Sequence, residues 1–246
     1  MGEVMKKRVE KGFTLVEMAI VLVIIGIILA GVMKGRDIVR GSQVKQFSQG
    51  FAQKWVTIAS TYMDKTGQAF VDGTANGGVN ASADGFMDGV FMGTGNLAQY
   101  DEVIDAARDV GIEPCTMIKT DLSNDTNNNC ANGYNVFMRN VEGETIGKSR
   151  VVVGFYAKQV GSNGPFRNMV VLQNVPGDVA RGLDTVIDGQ ADPANGACVG
   201  MANATSEDIA SINTTFSGAN PVNLMNSYPD ANSTNQYVVV GLILDY

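Results

Sequence analysis

The stretch FTLVEMAIVLVIIGIILAGVM, residues 13–33, contains sixteen consecutive residues, Met18 to Met33, without a charged or polar side chain. At about 1.5 Å per residue a helix of this length is about 32 Å long, enough to cross a hydrocarbon core. A secretory signal peptide has a shorter apolar core and ends at a small-residue cleavage site, whereas this run continues into Lys34, Arg36 and Arg40. The expectation is a membrane-spanning helix. Glu17 stands out in it, because a lone carboxylate in a bilayer-length helix is costly and needs a partner. The positive end of the helix dipole lowers that cost one turn in. A cut before Phe13 would place a new ammonium four residues from Glu17.

Upstream, residues 1–12 carry four basic groups (Lys6, Lys7, Arg8, Lys11) and two acids (Glu3, Glu10). The basic leader ending in Lys11-Gly12, followed by Phe13-Thr14-Leu15-Val16-Glu17 and the apolar run, resembles a type IV prepilin, a family that includes type IV pilins and type II secretion pseudopilins. The resemblance covers about 30 residues directly. It implies cleavage between Gly12 and Phe13 by a membrane prepilin peptidase on the cytoplasmic side, and N-methylation of Phe13. It also implies that Glu17 pairs with the amino group of Phe13, chiefly on a neighbouring subunit during filament assembly. Apolar helices packed together exclude water, so a subunit out of axial register would leave that carboxylate unpaired.

Downstream, Val44, Phe47, Phe51, Trp55, Ile58 and Tyr62 fall on one face of an amphipathic helix. The helix is therefore expected to run from Phe13 to about Asp64, with the aromatic stripe covered by a sheet from the rest of the chain. Gly26, Gly31, Gly35 and Gly41 favour a bend or local unwinding in its first half, each costing about 1 kcal/mol against alanine. From Gly67 to Asn96 the chain is rich in Gly, Asn, Asp and Ser and reads as a long surface loop. Residues 97–110 fit a short amphipathic helix, stopped by Gly111 and Pro114. Residues 134–141, 150–157, 168–175 and 236–244 are strand candidates, and 177–187 a helix between the last two.

The fold class expected is α+β and pilin-like: a long N-terminal helix whose second half packs on an antiparallel β-sheet head. The divisions are a prepilin leader at 1–12, a transmembrane and filament-core segment at 13–35, and a globular head at 36–246 that includes the amphipathic half of the helix.

The chain has no histidine and three cysteines, which excludes imidazole-based triads and a four-thiolate zinc cage. No GxxxxGK[ST] phosphate loop occurs, so the expectation is not an enzyme. The formal charge of -7 opposes a general phosphate-backbone binder, so nucleic acid is not an expected partner. Beyond the leader the chain holds 14 basic and 23 acidic residues, a balance of -9. In an oxidising compartment Cys115 and Cys130 would close the shorter loop, with about 3 kcal/mol from chain entropy. Pairings of either with Cys198 stay open. Asp184, Asp188 and Asp192, and the alternating oxygens from Asp121 to Asn129, are candidate calcium loops. Solvated turns with acid side chains are the favoured reading of both, because loop carboxylates are common. No other cofactor is expected.

The function these readings imply is a structural subunit of a type IV pilus or pilus-like filament, or alternatively a type II secretion pseudopilin or minor pilin. A monomeric membrane-anchored binding module is the competing class. Its partners would be the prepilin peptidase, the inner membrane, and itself or other pilins or pseudopilins in a helical filament. It would sit in the bacterial inner membrane before assembly and in a surface pilus or periplasmic pseudopilus afterwards.

Overall fold

The computed structural model describes residues 13–91, 97–118, 133–139, 144–161, 164–202, 221–229 and 237–246. The chain divides into two compact units, one through Ser42 and one from Gln43 onward. The first unit is helical. Helix α1 (Leu15–Phe47) runs unbroken through Gly26, Gly31, Gly35 and Gly41, so the expected glycine-based unwinding does not occur there.

The irregularity lies further on, where a π-helical turn (Ser48–Ala52) joins α1 to α2 (Gln53–Thr66). Successive four-residue steps drift around an ordinary helix, because its turn closes in 3.6 residues. A wider π turn absorbs the drift between Phe47, Phe51 and Trp55, and all three are fully buried. The second unit begins its burial at Val44 and carries the stripe through Ile58 to Tyr62. Gly67, in the left-handed region at φ 72°, ends α2 by donating its N–H to the Met63 carbonyl.

Among the described residues the sheet has six antiparallel strands: β1 (Asp88–Phe91), β2 (Gly133–Arg139), β3 (Thr145–Gln159), β4 (Phe166–Pro176), β5 (Cys198–Met201) and β6 (Tyr237–Ile243). The order is β1-β3-β4-β6-β5, with β2 also on β3. β3 is long enough to hold two partners on one edge, β2 along its first half and β1 near its end. Each of the four expected strands is present. β1 and β5 are additions, each four residues long and containing a glycine.

Side chains alternate across the sheet with a period of two. Val151, Val153, Phe155, Val170, Leu172, Val238, Val240 and Leu242 join the core that contains the helical stripe. Trp55 meets Phe155 edge-on at 5.5 Å between ring centroids, and Phe47 and Phe51 lie against Tyr134. The opposite face is buried too: Val152, Tyr156, Met169, Val171, Val199, Met201 and Val239 pack with Val222. The expectation of a helix on one face of the sheet is thus extended by apolar cover on the other.

The surface loop expected at 67–96 is corrected in its described part. Ala69, Phe70, Val71, Met87 and Val90 are buried, and the Phe70 ring lies tilted against Tyr62 and edge-on to Phe155. Two carboxylates supply the organisation that apolar content alone would not. Asp72 accepts the backbone N–H groups of Asp84 and Gly85 at 2.9 and 2.7 Å. Asp88 accepts those of Gly73 and Asn80, both at 2.9 Å. Satisfying these amides internally lets the segment leave water. A Cβ on Gly78 would strike the Asp88 carboxylate, so glycine there is a steric requirement. Helix α3 (Leu97–Asp109) matches the expected amphipathic helix, with Val103, Ile104 and Ala107 buried. It is followed by a short α4 (Pro114–Met117), while α5 (Gly177–Asp188) lies between β4 and β5.

Candidate functional site

The start of α1 is built by a reciprocal cap. Thr14 precedes the first helical residue, and its backbone N–H and hydroxyl both donate to Glu17 Oε2 at 2.8 Å. The Glu17 N–H donates back to Thr14 Oγ1 at 3.2 Å. This is a T-x-x-E capping box, which satisfies helix-start amides that would otherwise lack partners. The spacing of Thr14 and Glu17 was a visible signal for it, and reading Glu17 only as a carboxylate in need of a cation overlooks it. Glu17 therefore has a partner within its own chain. An amino group at Phe13 would adjoin this arrangement. Gly12 lies outside the described residues, as does the rest of the leader; Phe13 is exposed.

Beyond the cap, every large apolar side chain from Phe13 to Val39 is exposed, from Ile25 at 46% to Leu15 at 91%. These include the consecutive Ile20, Val21, Leu22 and Val23, which at about 100° per residue point to all sides of the helix. An apolar surface this continuous marks a membrane or protein contact in a working molecule. Within the described residues this helix alone has the length and apolarity to cross a membrane.

The other candidates sit in the head. Asp184 is fully buried, and neither of its carboxylate oxygens completes a hydrogen bond, nor does the Tyr228 hydroxyl. Burial first, and then nearby Asp188, pushes the Asp184 carboxyl up to about 6. Burial likewise raises the Cys198 thiol and the Tyr228 phenol. Asp188 accepts the N–H groups of Ala197 and Cys198 at 3.1 and 2.9 Å. Asp192 accepts from Asn195 Nδ2 and the Ala194 N–H, which hold its carboxyl below the usual range. Two of the three carboxylates thus serve backbone or amide donors. Among the described residues no three Asp, Glu or Cys side chains come together as a metal-holding group. The Asp121–Asn129 loop lies outside the described residues.

Cys198 is a buried free thiol, so the pairings that use it are not formed. Cys130 lies outside the described residues. Cys115 starts the turn after Glu113, whose carboxylate accepts from Arg108 Nε at 3.0 Å and from the Cys115 N–H at 3.3 Å. The Arg108 guanidinium holds that carboxyl below its usual range.

Comparison with known proteins bears on the helix alone. No curated protein and no solved structure matches the chain. Residues 7–33 match the family model described as the prokaryotic N-terminal methylation motif. The match takes in the capped, apolar start of α1 and the six residues before Phe13, and this motif is the hallmark of type IV pilin and pseudopilin prepilins.

Proposed function

We propose that the chain is a structural subunit of a type IV pilus or pilus-like filament, cut between Gly12 and Phe13 and methylated on Phe13. One observation carries this reading: the methylation motif at residues 7–33 leads directly into a helix whose apolar side chains are exposed on every side. Such a helix needs lipid around it before assembly and sister helices after it. The head supplies a folded unit with its own core, and its role is packing rather than catalysis.

In this reading Glu17 exchanges one partner for another. It caps its own helix through Thr14 in the single subunit, and it takes the Phe13 ammonium of a neighbour in the filament. The prepilin peptidase and other pilins or pseudopilins are the partners. The Cys115–Cys130 pair closes the Asn-rich segment in the exported head.

Mass spectrometry of the mature amino terminus tests the processing step: a chain beginning at methylated Phe13 supports it, and an intact Met1 or a cut elsewhere overturns it. Glu17→Ala tests assembly. Cleavage should persist because the apolar anchor is unchanged, while sheared-fibre yield falls at least about tenfold through loss of the register charge. Normal fibre yield would refute that role. Accumulation of secreted enzymes behind the outer membrane in a deletion strain, without loss of fibres, would instead assign the subunit to a type II secretion pseudopilus.

A further inference from the structure

Three basic residues follow the apolar run at once: Lys34, Arg36 and Arg40, with Asp37 as the single acid among them. They lie on the exposed part of α1, Lys34 and Arg36 exposed and Arg40 half-buried. At helical rise they fall within about 10 Å of the point where the apolar run ends at Met33. A bilayer's headgroup layer is about 5–7 Å deep on each side, and the stems of Lys and Arg extend several ångströms further along the axis. All three charged heads can thus reach headgroup phosphates. Arg36 and Arg40 are one turn apart on one side of the helix, and Lys34 is on the other, so the charges flank the axis on two opposite sides.

Their position is unfavourable for orientation. Basic residues are retained on the cytoplasmic side of a spanning helix, and the leader offers Lys6, Lys7, Arg8 and Lys11 for that purpose. Three more on the exported flank oppose that bias, and cleavage before Phe13 would remove the four that establish it. The exported cluster therefore serves something other than topology.

We propose that Lys34, Arg36 and Arg40 form a collar that binds the phosphate groups of anionic phospholipids in the exported leaflet. The guanidinium forks of Arg36 and Arg40 suit phosphate oxygens, and Lys34 adds a point charge on the opposite side. The collar holds the spanning helix at a fixed depth once the leader is gone, and it must exchange lipid for protein contacts when the subunit leaves the bilayer. This inference rests on the membrane-anchored reading above.

The test uses the full chain in vesicles of mixed phosphatidylglycerol and phosphatidylcholine, with spin-labelled versions of each lipid as probes. Each basic group near an anionic surface contributes up to about fivefold in association. The wild-type chain should restrict the anionic probe over the neutral one, and K34Q/R36Q/R40Q should lower that ratio about threefold or more, as should high salt in the wild type. An unchanged ratio in the triple variant overturns the collar. An unchanged ratio accompanied by loss of fibres overturns it in favour of a contact between copies of this chain. If the wild-type chain restricts neither probe, the membrane-anchored reading itself fails, and the collar with it.

Discussion

The two halves of the long helix obey opposite rules. From Leu15 to Val39 every large apolar side chain is exposed. From Val44 to Tyr62 apolar and polar residues alternate at helical spacing, and the apolar ones are buried against a sheet. The half richer in apolar residues is therefore the one its own chain does not cover. Composition determines whether a helix must be covered; spacing determines whether its own fold can do it. An all-round apolar helix offers no polar face for water and can be satisfied only by an apolar surrounding.

The largest way to test this contrast is to remove the chain from Tyr237 onward. β6 lies between β4 and β5 and brings Val238, Val240 and Leu242 to the main core. Its loss should abolish cooperative melting of the head while leaving the apolar half of α1 helical in detergent by circular dichroism. A head that still melts cooperatively would show that the stripe does not depend on the sheet.

Next in size is a paired truncation. Trp55→Ala should destabilise the head by about 3–5 kcal/mol, the range for a large buried aromatic, read as a lower denaturant midpoint. Ile24→Ala should leave that midpoint unchanged within about 0.5 kcal/mol, since Ile24 is 51% exposed and touches no core. Equal effects would erase the distinction between the halves.

A smaller effect separates buried polar groups from buried apolar ones inside the head. The Asp184 carboxyl has its folded value raised from 3.8 to about 6, so its folded form binds the proton more tightly. Its contribution is fully present below about pH 4 and is lost as pH rises through about 6, at a cost on the order of 2 kcal/mol. Asp184→Asn should remove this dependence and melt higher than wild type at pH 7.5. Identical pH profiles would show that the carboxyl is not the group responsible.

The smallest effect lies at the cap. Thr14→Ala removes one side of the box with Glu17 and should fray the first turn by about 1 kcal/mol. Amide exchange at Val16 and Glu17 should quicken while head melting stays fixed. Unaltered exchange would mean that the cap does not hold the turn.

The sequence discloses the two halves unequally from what surrounds them. The apolar run and the 3-4 spacing from Val44 to Tyr62 are long, regular patterns, and both halves of the helix follow them. β3, β4 and β6 are equally plain because runs such as Val151-Val152-Val153 and Val238-Val239-Val240 satisfy both faces of a covered sheet. β1 and β5 are hidden because four residues with a glycine carry no period. The segment after Gly67 misleads for a different reason. Its polar composition is that of a solvated loop, yet Asp72 and Asp88 use their carboxylates to bind backbone amides, and composition does not distinguish an inward aspartate from an outward one. The same ambiguity affects the candidate site. Glu17 is conspicuous as an isolated charge, but its local role depends on a hydroxyl three residues earlier, and Asp188 and Asp192 look like ligands while acting as amide acceptors.

The strand order sets a timetable for synthesis. Among the described residues β5 pairs along its length with β6, apart from a single bridge from Met201 to Leu224, and β6 comes after every other described strand. The apolar helix emerges from the ribosome first, and the ladder is completed last. Through most of translation β4 keeps one edge unpaired, a template on which another nascent chain could add a strand. While that edge is open, copies of the chain made side by side can pair through it, so separation of nascent chains protects the fold until β6 is in place.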